Sequence, residues 1–446
     1  MRILLLSHYY EPEVGAPQQR WASLVERFVR AGHEVSVIAP PPHYPRGPLD
    51  PAHADQRPGT VHAGQRGETL HRTAFRPYDT EVGSRFADQL VAAASATRLA
   101  ATRFRRHRPD VVVATVPSLP MLAAGSAVAT ALRVPLVVEM RDAWPDLLDV
   151  AEEWELASPH DLPAPETAHG AAGEAMAPRH HPAPAGGLDS LRSGARDAVR
   201  RGGMTTLHRV ATGLQRRGTA VVTTTESFAD TLRARGVRSV HVVRNGAHPL
   251  LGWTGRPARE PDGTLRVLYA GTLGRAQGLS TVVKAASLAA RAGTPVRVRI
   301  VGAGAEGEVL AALARRLDAP VDVRGTVPRA ELVEQYAWAD SVLVVLRAWR
   351  GLSLTVPSKL YEAMSLGVHV SASVAGEAAD IVEQTGAGHV SPPGDAQALA
   401  DLWQTLVDDP RRLSVGAGPR DWVREHASDD RLAGRYLDVL HEVVGA

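Results

Sequence analysis

The fold is decided by residues 266–278, which read RVLYAGTLGRAQG. An apolar run enters a glycine-bearing loop, and a helical pattern follows through residues 282–286. Residues 1–8, MRILLLSH, open the chain in the same way, with a continuous apolar run typical of a parallel strand that is buried on both faces. The chain therefore has two strand–loop–helix beginnings, which predicts two Rossmann-like halves.

Further apolar runs follow each beginning. They lie at Val35–Ala39, Val111–Val116, Leu136–Met140 and Ala220–Thr225 in the first half, and at Val296–Val301, Val321–Val323, Val342–Leu346 and Val368–Ser371 in the second. Helical patterns separate them, and this alternation predicts an α/β protein with two doubly wound parallel sheets.

The length of 446 residues suits two such units. We predict a first domain over 1–251, a hinge over 252–263, a second domain over 264–425 and a final helix over 426–446. Residues 158–190 interrupt the first domain with Pro, Gly, Ala and His in a composition typical of a poorly ordered insertion. The histidines there lack the spacing of a metal site.

Composition excludes several classes of function. Cysteine is absent, which excludes disulfides, cysteine-ligated zinc, iron–sulfur clusters and a thiol nucleophile. The formal charge of +2 gives no strong electrostatic field, so we expect no nucleic-acid partner.

The first apolar run is too short for a signal peptide and no run could span a bilayer, so we expect a cytoplasmic protein. The sequence contains no Asp-x-Asp, P-loop or nucleophile-elbow motif.

The 50 basic residues include two lysines, Lys284 and Lys359. Lys359 lies in residues 356–364, VPSKLYEAM, where Ser358 is the predicted N-cap of a helix. The helix dipole disfavours a cation in the first turn by roughly a few tenths of a kcal/mol, which a bound anion would reverse. With Glu362 on the same face, a lysine on phosphate and a glutamate on ribose hydroxyls would hold a nucleotide. The alternative is a Lys–Glu surface pair worth about 0.2–0.5 kcal/mol.

Two loops carry further candidate contacts for an anion. Gly15 connects the first strand to a helix N-terminus, where free amides favour an anion, although a turn glycine is the alternative. Gly274 and Arg275 lie at the predicted C-terminal edge of the second sheet, where doubly wound folds bind ligands. Arg275 could contact a diphosphate with two N–H groups, or it could be an ordinary surface arginine.

Two acidic residues follow predicted strands. Asp142 could hydrogen-bond an acceptor or orient Arg141, and the alternative is an aspartate that caps a turn. Glu377 begins a helix after a glycine turn and could accept hydrogen bonds from sugar hydroxyls, although the helix dipole favours a glutamate there without any function.

These stretches resemble glycosyltransferases of family 4, which have the GT-B fold, and among them the bacterial surface-polysaccharide group that includes N-acetylfucosaminyl transferases. Five ordered stretches carry the resemblance: 7–17, 141–145, 269–278, 356–364 and 376–382. The resemblance implies two Rossmann-like domains that face a cleft, with the acceptor site in the first, the nucleotide-sugar site in the second, and a final helix that returns to the first. It also implies a hexosyl- or N-acetylhexosaminyl-type transfer that retains anomeric configuration and needs no metal or other cofactor. The leaving phosphate would help to deprotonate the acceptor.

The resemblance also implies roles for particular residues. The predicted catalytic residues are Asp142, Lys359 and Glu377, the predicted donor contacts are Gly15, Gly274, Arg275, Lys359 and Glu362, and the predicted acceptor-side contacts are Arg141 and Asp142. Two positions depart from the family pattern. Leu354 stands where the family has a glutamate, and Gln277 stands where many members have a phosphate-binding lysine.

The expected partners are a nucleoside-diphosphate sugar and a glycan or lipid-linked acceptor. A basic cluster at Arg98, Arg103 and residues 105–108, which read RRHR, could contact anionic headgroups on the inner face of the cell membrane, or could be a solvated helix end. Two other functions stay open. One is a nucleotide-sugar 2-epimerase of the same fold, and the other is a catalytically idle scaffold in a glycan assembly complex, which Leu354 and Gln277 would favour.

Overall fold

The computed structural model describes residues 1–44, 46–79, 82–148, 205–247, 250, 252–255, 257 and 262–445. The predicted insertion at 158–190 lies outside the described residues, as does part of the predicted hinge at 252–263. The described residues form two separate sheets, and the hinge lies between the last strand of the first sheet and the first strand of the second.

The first sheet has eight strands in the order β3-β4-β2-β1-β5-β6-β7-β8. Its strands are Arg2–Leu6 (β1), Glu34–Ala39 (β2), Val61–Ala63 (β3), Thr69–Arg72 (β4), Val111–Thr115 (β5), Leu136–Met140 (β6), Ala220–Thr223 (β7) and Val240–Val242 (β8). All neighbouring pairs are parallel except β3 with β4. The helices are Ala16–Arg30 (α1), Val82–Arg103 (α2), Leu119–Leu132 (α3), 205–217 (α4) and Glu226–Ala234 (α5).

The second sheet has six parallel strands in the order β11-β10-β9-β12-β13-β14. Its strands are Leu265–Ala270 (β9), Val296–Val301 (β10), Val321–Arg324 (β11), Ser341–Val345 (β12), His369–Ser373 (β13) and Gly388–Ser391 (β14). The helices are Leu279–Arg291 (α6), Gly307–Arg316 (α7), Leu332–Trp338 (α8), Arg350–Ser353 (α9), Ser358–Leu366 (α10), Glu377–Thr385 (α11), Ala396–Asp408 (α12), Gly418–His426 (α13) and Asp429–Gly445 (α14).

Both sheets are covered on both faces, which explains the continuous apolar runs of their central strands. In the first sheet, Leu4 and Leu6 of β1 face α2 and α3, whereas Ile3 and Leu5 face α1. In the second sheet, α6 and α12 cover one face, and α10 and α11 cover the other. The predicted class, two doubly wound α/β domains, is confirmed.

The final helix, α14, packs against the first sheet's α1. The Tyr436 ring lies 5.7 Å from the rings of Trp21 and Phe28, and all three side chains are buried. The chain therefore crosses back to its first domain after the second sheet is complete. None of the helices within the described ranges is long and apolar enough to cross a membrane.

The strand order places a topological switch point in each sheet, between β1 and β5 in the first and between β9 and β12 in the second. Loops diverge at the C-terminal edge of such a point and leave a crevice where doubly wound folds bind ligands. The loop after β9 contains Gly274 and Arg275, and the loop after β1 contains Gly15. The candidate residues in these two loops therefore follow the strands that border the switch points.

Candidate functional site

Lys359 lies in the first turn of α10, as predicted, but the predicted cap of that helix is wrong. Pro357 is the N-cap, and Ser358 is the first helical residue and makes no capping hydrogen bond. Proline fixes its own φ near the extended value seen here, −63°, so Pro357 takes the cap position and the helix begins one residue earlier than a Ser358 cap predicts.

The Lys359 side chain lies against the end of β9. Its Nζ is 4.9 Å from the centre of the Tyr269 ring, a cation–π distance. Gly271 has φ +147°, and a Cβ atom there would overlap Cε and Nζ of Lys359. The lysine therefore occupies the space that a larger residue at 271 would fill.

Burial lowers the pKa of Lys359 to about 8, although the Glu362 carboxylate raises it. Lys359 makes no hydrogen bond or ion pair to a residue in the described ranges. A partly desolvated ammonium with no such partner gains free energy when an anion binds. Lys284, by contrast, lies exposed on α6.

Glu362 lies nearly one turn after Lys359 on α10. Burial raises the pKa of its carboxyl, while the charges of Arg329 and Lys359 lower it. Within the described residues, no donor is hydrogen-bonded to this carboxylate. It is therefore an acceptor of hydrogen bonds that a bound molecule with hydroxyl groups could satisfy.

The loop after β9 positions Gly274 and Arg275. A short 3₁₀ turn spans Arg275–Gln277 between Gly274 and a left-handed Gly278. The Arg347 guanidinium donates to the Arg275 carbonyl at 2.6 Å, and the Gln277 side chain lies close to the position that a Cβ of residue 274 would take. The backbone of the loop is therefore fixed from two sides.

The first domain places one candidate at the start of α1 and two at the end of β6. Gly15 is the N-cap residue of α1 and, having no side chain, makes no capping hydrogen bond. Arg141 and Asp142 directly follow β6. Burial lowers the pKa of Arg141 and the Asp142 carboxylate raises it, and Arg141 Nε has no hydrogen-bond partner among the described residues. The acceptor-side role of this pair stays a prediction.

Glu377 contacts the first domain. Its Oε2 accepts from the backbone N–H of Ser227 at 2.9 Å and from the Ser227 hydroxyl at 3.2 Å, and its Oε1 pairs with Arg244. Both carboxylate oxygens are therefore occupied by groups of the other domain. The predicted contact of Glu377 with sugar hydroxyls stays a prediction, and it requires Glu377 to exchange these partners.

Leu354 also lies at the contact between the domains. Its side chain packs against the apolar cluster formed by α2, α3 and β6, and its carbonyl accepts from the Thr225 hydroxyl at 2.7 Å. The leucine that departs from the family pattern therefore stabilises the contact between the two domains.

Two family models match the chain, and together they cover every strand of the two sheets except β1. The model described as "Glycosyl transferase 4-like domain" matches residues 15–246, and "Glycosyl transferases group 1" matches residues 264–409. The first match alone spans more than half of the chain. The chain belongs to the glycosyl transferase 4-like family.

Curated relatives of this glycosyl transferase 4-like chain include the putative colanic acid biosynthesis glycosyltransferases WcaL of Escherichia coli and Salmonella typhimurium. The first is 27% identical over 234 residues, which are 51% of this chain and 57% of the relative. The second is 27% identical over 192 residues, which are 42% of this chain and 47% of the relative. The chain thus spans about half the length of the curated relatives it matches.

Solved structures are similar over nearly the whole glycosyl transferase 4-like chain. Sucrose-phosphate synthase of Thermosynechococcus elongatus has a TM-score of 0.67 at 17% identity, covering 100% of this chain and 99% of that one. Anabaena HepE in complex with UDP and glucose has a TM-score of 0.61 at 17% identity, covering 98% of each chain. At such identities the likeness shows the shared GT-B fold.

Sequence reasoning missed several residues of this glycosyl transferase 4-like site. Gly271 and Tyr269 contact the Lys359 side chain, and the charge of Arg329 acts on the Glu362 carboxyl. Its position directly after an apolar strand could have identified Gly271 from the sequence. Arg244 and Ser227 carried no signal, because their contacts with Glu377 join residues more than 130 positions apart.

Proposed function

We propose that the chain is a retaining glycosyltransferase. It moves a hexosyl or N-acetylhexosaminyl group from a nucleoside-diphosphate sugar to a hydroxyl of a glycan or lipid-linked acceptor, in surface polysaccharide synthesis. One observation carries the proposal: at the switch point of the second sheet, the partly desolvated Lys359 ammonium and the Glu362 carboxylate lie on the same helix, and neither side-chain charge is hydrogen-bonded to a residue in the described ranges. A diphosphate and a ribose would complement these two groups.

In the proposed reaction the acceptor oxygen bonds to the anomeric carbon, and the bond from that carbon to the donor phosphate breaks. The electron pair leaves with the diphosphate, whose growing charge Lys359 and Arg275 stabilise. A phosphate oxygen on the same face takes the acceptor proton, so configuration is retained. With two cations in place, the proposal uses no metal at the diphosphate.

The other predicted residues hold the two substrates in this proposal. Glu362 accepts the ribose hydroxyls, while backbone amides beside Gly15 and Gly274 approach the phosphates. Glu377 exchanges Arg244 and Ser227 for sugar hydroxyls, and Asp142, oriented beside Arg141, binds the acceptor. The protein thus contributes mainly substrate positioning and stabilisation of leaving-group charge.

UDP-sugars are the first donors to test, because the similar HepE structure contains UDP. Purified protein is incubated with a panel of nucleotide sugars, with and without acceptor glycans, and products are identified by mass spectrometry and by the anomeric NMR coupling. The proposal expects transfer with retention. An epimer formed from donor alone would support the 2-epimerase, and failure to bind any nucleoside diphosphate would support the scaffold.

A lipid-linked acceptor would lie at a membrane, and the basic cluster supplies a contact. The side chains of Arg98, Arg103, Arg105, Arg106 and Arg108 are exposed at the end of α2 and just after it. We propose that they bind anionic headgroups. Sedimentation with liposomes should recover the protein with anionic and not with neutral vesicles, and equal recovery with both would contradict this.

A further inference from the structure

Three buried side chains from three segments converge at the C-terminal edge of the first sheet. His8 follows β1, His43 follows the neighbouring β2, and Asp88 lies on α2. Their exposed fractions are 4%, 2% and 0%. The nearest ligand atoms of the three, one from each, all lie within 4.8 Å of one another.

Both imidazoles contact the same carboxylate oxygen. His43 Nε2 lies 2.9 Å and His8 Nε2 lies 3.2 Å from Asp88 Oδ2. His43 Nδ1 lies 2.7 Å from the Pro41 carbonyl oxygen. A carbonyl can only accept, so Nδ1 carries the hydrogen, and neutral His43 presents a lone pair at Nε2.

That lone pair faces an ionised carboxylate oxygen, which also can only accept. Two acceptors this close need a cation between them, which is either a proton on His43 or a metal ion. A proton on His43 Nε2 would satisfy that pair, while neutral His8 could donate from its own Nε2 to the same oxygen. A metal ion would instead bind all three atoms at once.

The surrounding hydrogen bonds of His43 and Asp88 match those of a metal centre, whereas His8 Nδ1 is buried without a hydrogen-bond partner among the described residues. Histidine ligands commonly donate their other ring N–H to a carbonyl, and ligating carboxylates are themselves hydrogen-bonded. His43 donates to Pro41 in this way, and the Arg76 backbone N–H donates to Asp88 Oδ1 at 2.8 Å. These contacts leave the Oδ2 lone pairs and His43 Nε2 directed into the cluster.

We propose that His8, His43 and Asp88 bind one divalent transition-metal ion of the Zn²⁺ class. Two imidazoles and one carboxylate favour such an ion over Mg²⁺ or Ca²⁺, which prefer all-oxygen ligands. Three protein ligands leave a fourth position for water. The ion would join the loops after β1 and β2 to α2, and it lies in the first domain, apart from the diphosphate contacts of the second.

The test is the metal content of the full-length protein. Protein from zinc-supplemented medium is washed with nitrilotriacetate to strip ions from exposed histidines, desalted, and assayed by mass spectrometry of the elements. We expect about one equivalent of zinc per chain in the wild type and less than about a tenth of that in Asp88→Asn and His43→Gln. His389→Gln is the matched control, because His389 hydrogen-bonds His369 in the second domain, away from the cluster. It should retain the wild-type content.

Cobalt substitution gives a readout that needs no variant to fold. Co²⁺ bound by the wild type should give visible absorption bands, and excess Zn²⁺ should remove them. If folded wild-type protein retained less than about a tenth of an equivalent of zinc per chain, the proposal would be overturned. The cation between His43 and Asp88 would then be a proton. A folded Asp88→Asn variant with the zinc content of the wild type would overturn the proposal as well. Neither result depends on glycosyl transfer.

Discussion

At the scale of single residues, Lys359 lies against a glycine and an aromatic ring, with burial lowering its pKa to about 8. The folded chain therefore binds a proton on Lys359 less tightly than the unfolded chain, whose lysine titrates near 10.5. The charged lysine reduces the free energy of unfolding below pH 8, and this penalty disappears between pH 8 and 10.5.

Lys359→Met should therefore raise the free energy of unfolding near pH 7, by about 2–3 kcal/mol, because it removes the desolvated charge. Urea unfolding at several pH values measures this. The difference between variant and wild type should shrink as pH rises from 8 to 10.5. Lys284→Met changes an exposed lysine and should leave stability within about 0.5 kcal/mol at every pH. An equal effect of both variants would contradict the burial of Lys359.

Gly271→Ala should weaken donor binding through Lys359. A Cβ at 271 would displace the lysine Cε and Nζ, and the positive φ adds about 1–2 kcal/mol of strain. Calorimetry should show at least a tenfold loss of nucleoside-diphosphate affinity, which is about 1.4 kcal/mol. Gly293→Ala is the control, because Gly293 also has positive φ but has nothing near its Cβ position. It should lose stability and keep affinity.

At the residue level, the position of Lys359 in the first turn of a helix was predicted correctly, with Glu362 on the same helix. Their roles as donor contacts stay a prediction, which rests on a scarce lysine lying where the helix dipole disfavours it. The helix cap was wrong because proline geometry outweighed the serine preference. His8, His43 and Asp88 could not be found, since their spacings of 35 and 45 residues match no local pattern and the fold alone brings them together.

At the scale of elements, the short α9 and the residue after it connect the two domains. Leu354 inserts its side chain into the first domain's apolar cluster, while Thr225 donates to its carbonyl. In this chain, the position where the family has a glutamate therefore stabilises the contact between the two domains.

Leu354→Glu, which restores the family residue, should destabilise the protein. The carboxylate would replace apolar contacts at a half-buried position, at a cost of about 2 kcal/mol. Thermal unfolding measures the loss, and Leu354→Met should cost less than about 1.5 kcal/mol because it preserves volume and polarity. A stable Leu354→Glu variant with higher transfer activity would contradict the structural role of Leu354.

Most strands that the sequence predicted lie inside their sheets, although the edge strand β11 was predicted too, and three of the four missed strands lie at sheet edges. Leu136–Met140 and Val296–Val301 were predicted with their observed bounds, because the first is buried throughout and the second has four apolar residues of six. Val61–Ala63, Thr69–Arg72, Val240–Val242 and Gly388–Ser391 are short and partly exposed, so their sequences resemble loops. Edge pairing is decided by tertiary contacts that no local pattern contains.

At the scale of the whole molecule, α14 connects the end of the chain to its first domain. Tyr436 packs between Trp21 and Phe28, and its hydroxyl has no hydrogen-bond partner among the described residues. The C-terminal helix thus contributes to the core of a domain whose sheet ends about 190 positions earlier, which two halves folding independently would not produce.

Tyr436→Ala should cost about 3–5 kcal/mol, because it leaves a cavity beside two buried aromatic rings. Tyr436→Phe should cost nothing or stabilise the protein, since it removes a buried hydroxyl that lacks a partner. Denaturant unfolding compares the two. If Tyr436→Ala matched the wild type, the docking of α14 on the first domain would be contradicted.

Under the proposed function, Lys359 binds the diphosphate of a nucleotide sugar. Calorimetric titration with UDP, and with other nucleoside diphosphates if UDP does not bind, tests it most directly in wild type, Lys359→Met and Lys284→Met. Affinity should fall at least 100-fold in Lys359→Met, a change of about 2.7 kcal/mol, and should be unchanged in Lys284→Met. Wild-type affinity should also weaken above pH 8, as Lys359 loses its charge, and this pH dependence should be absent in Lys359→Met. Equal affinity in all three proteins would contradict the claim.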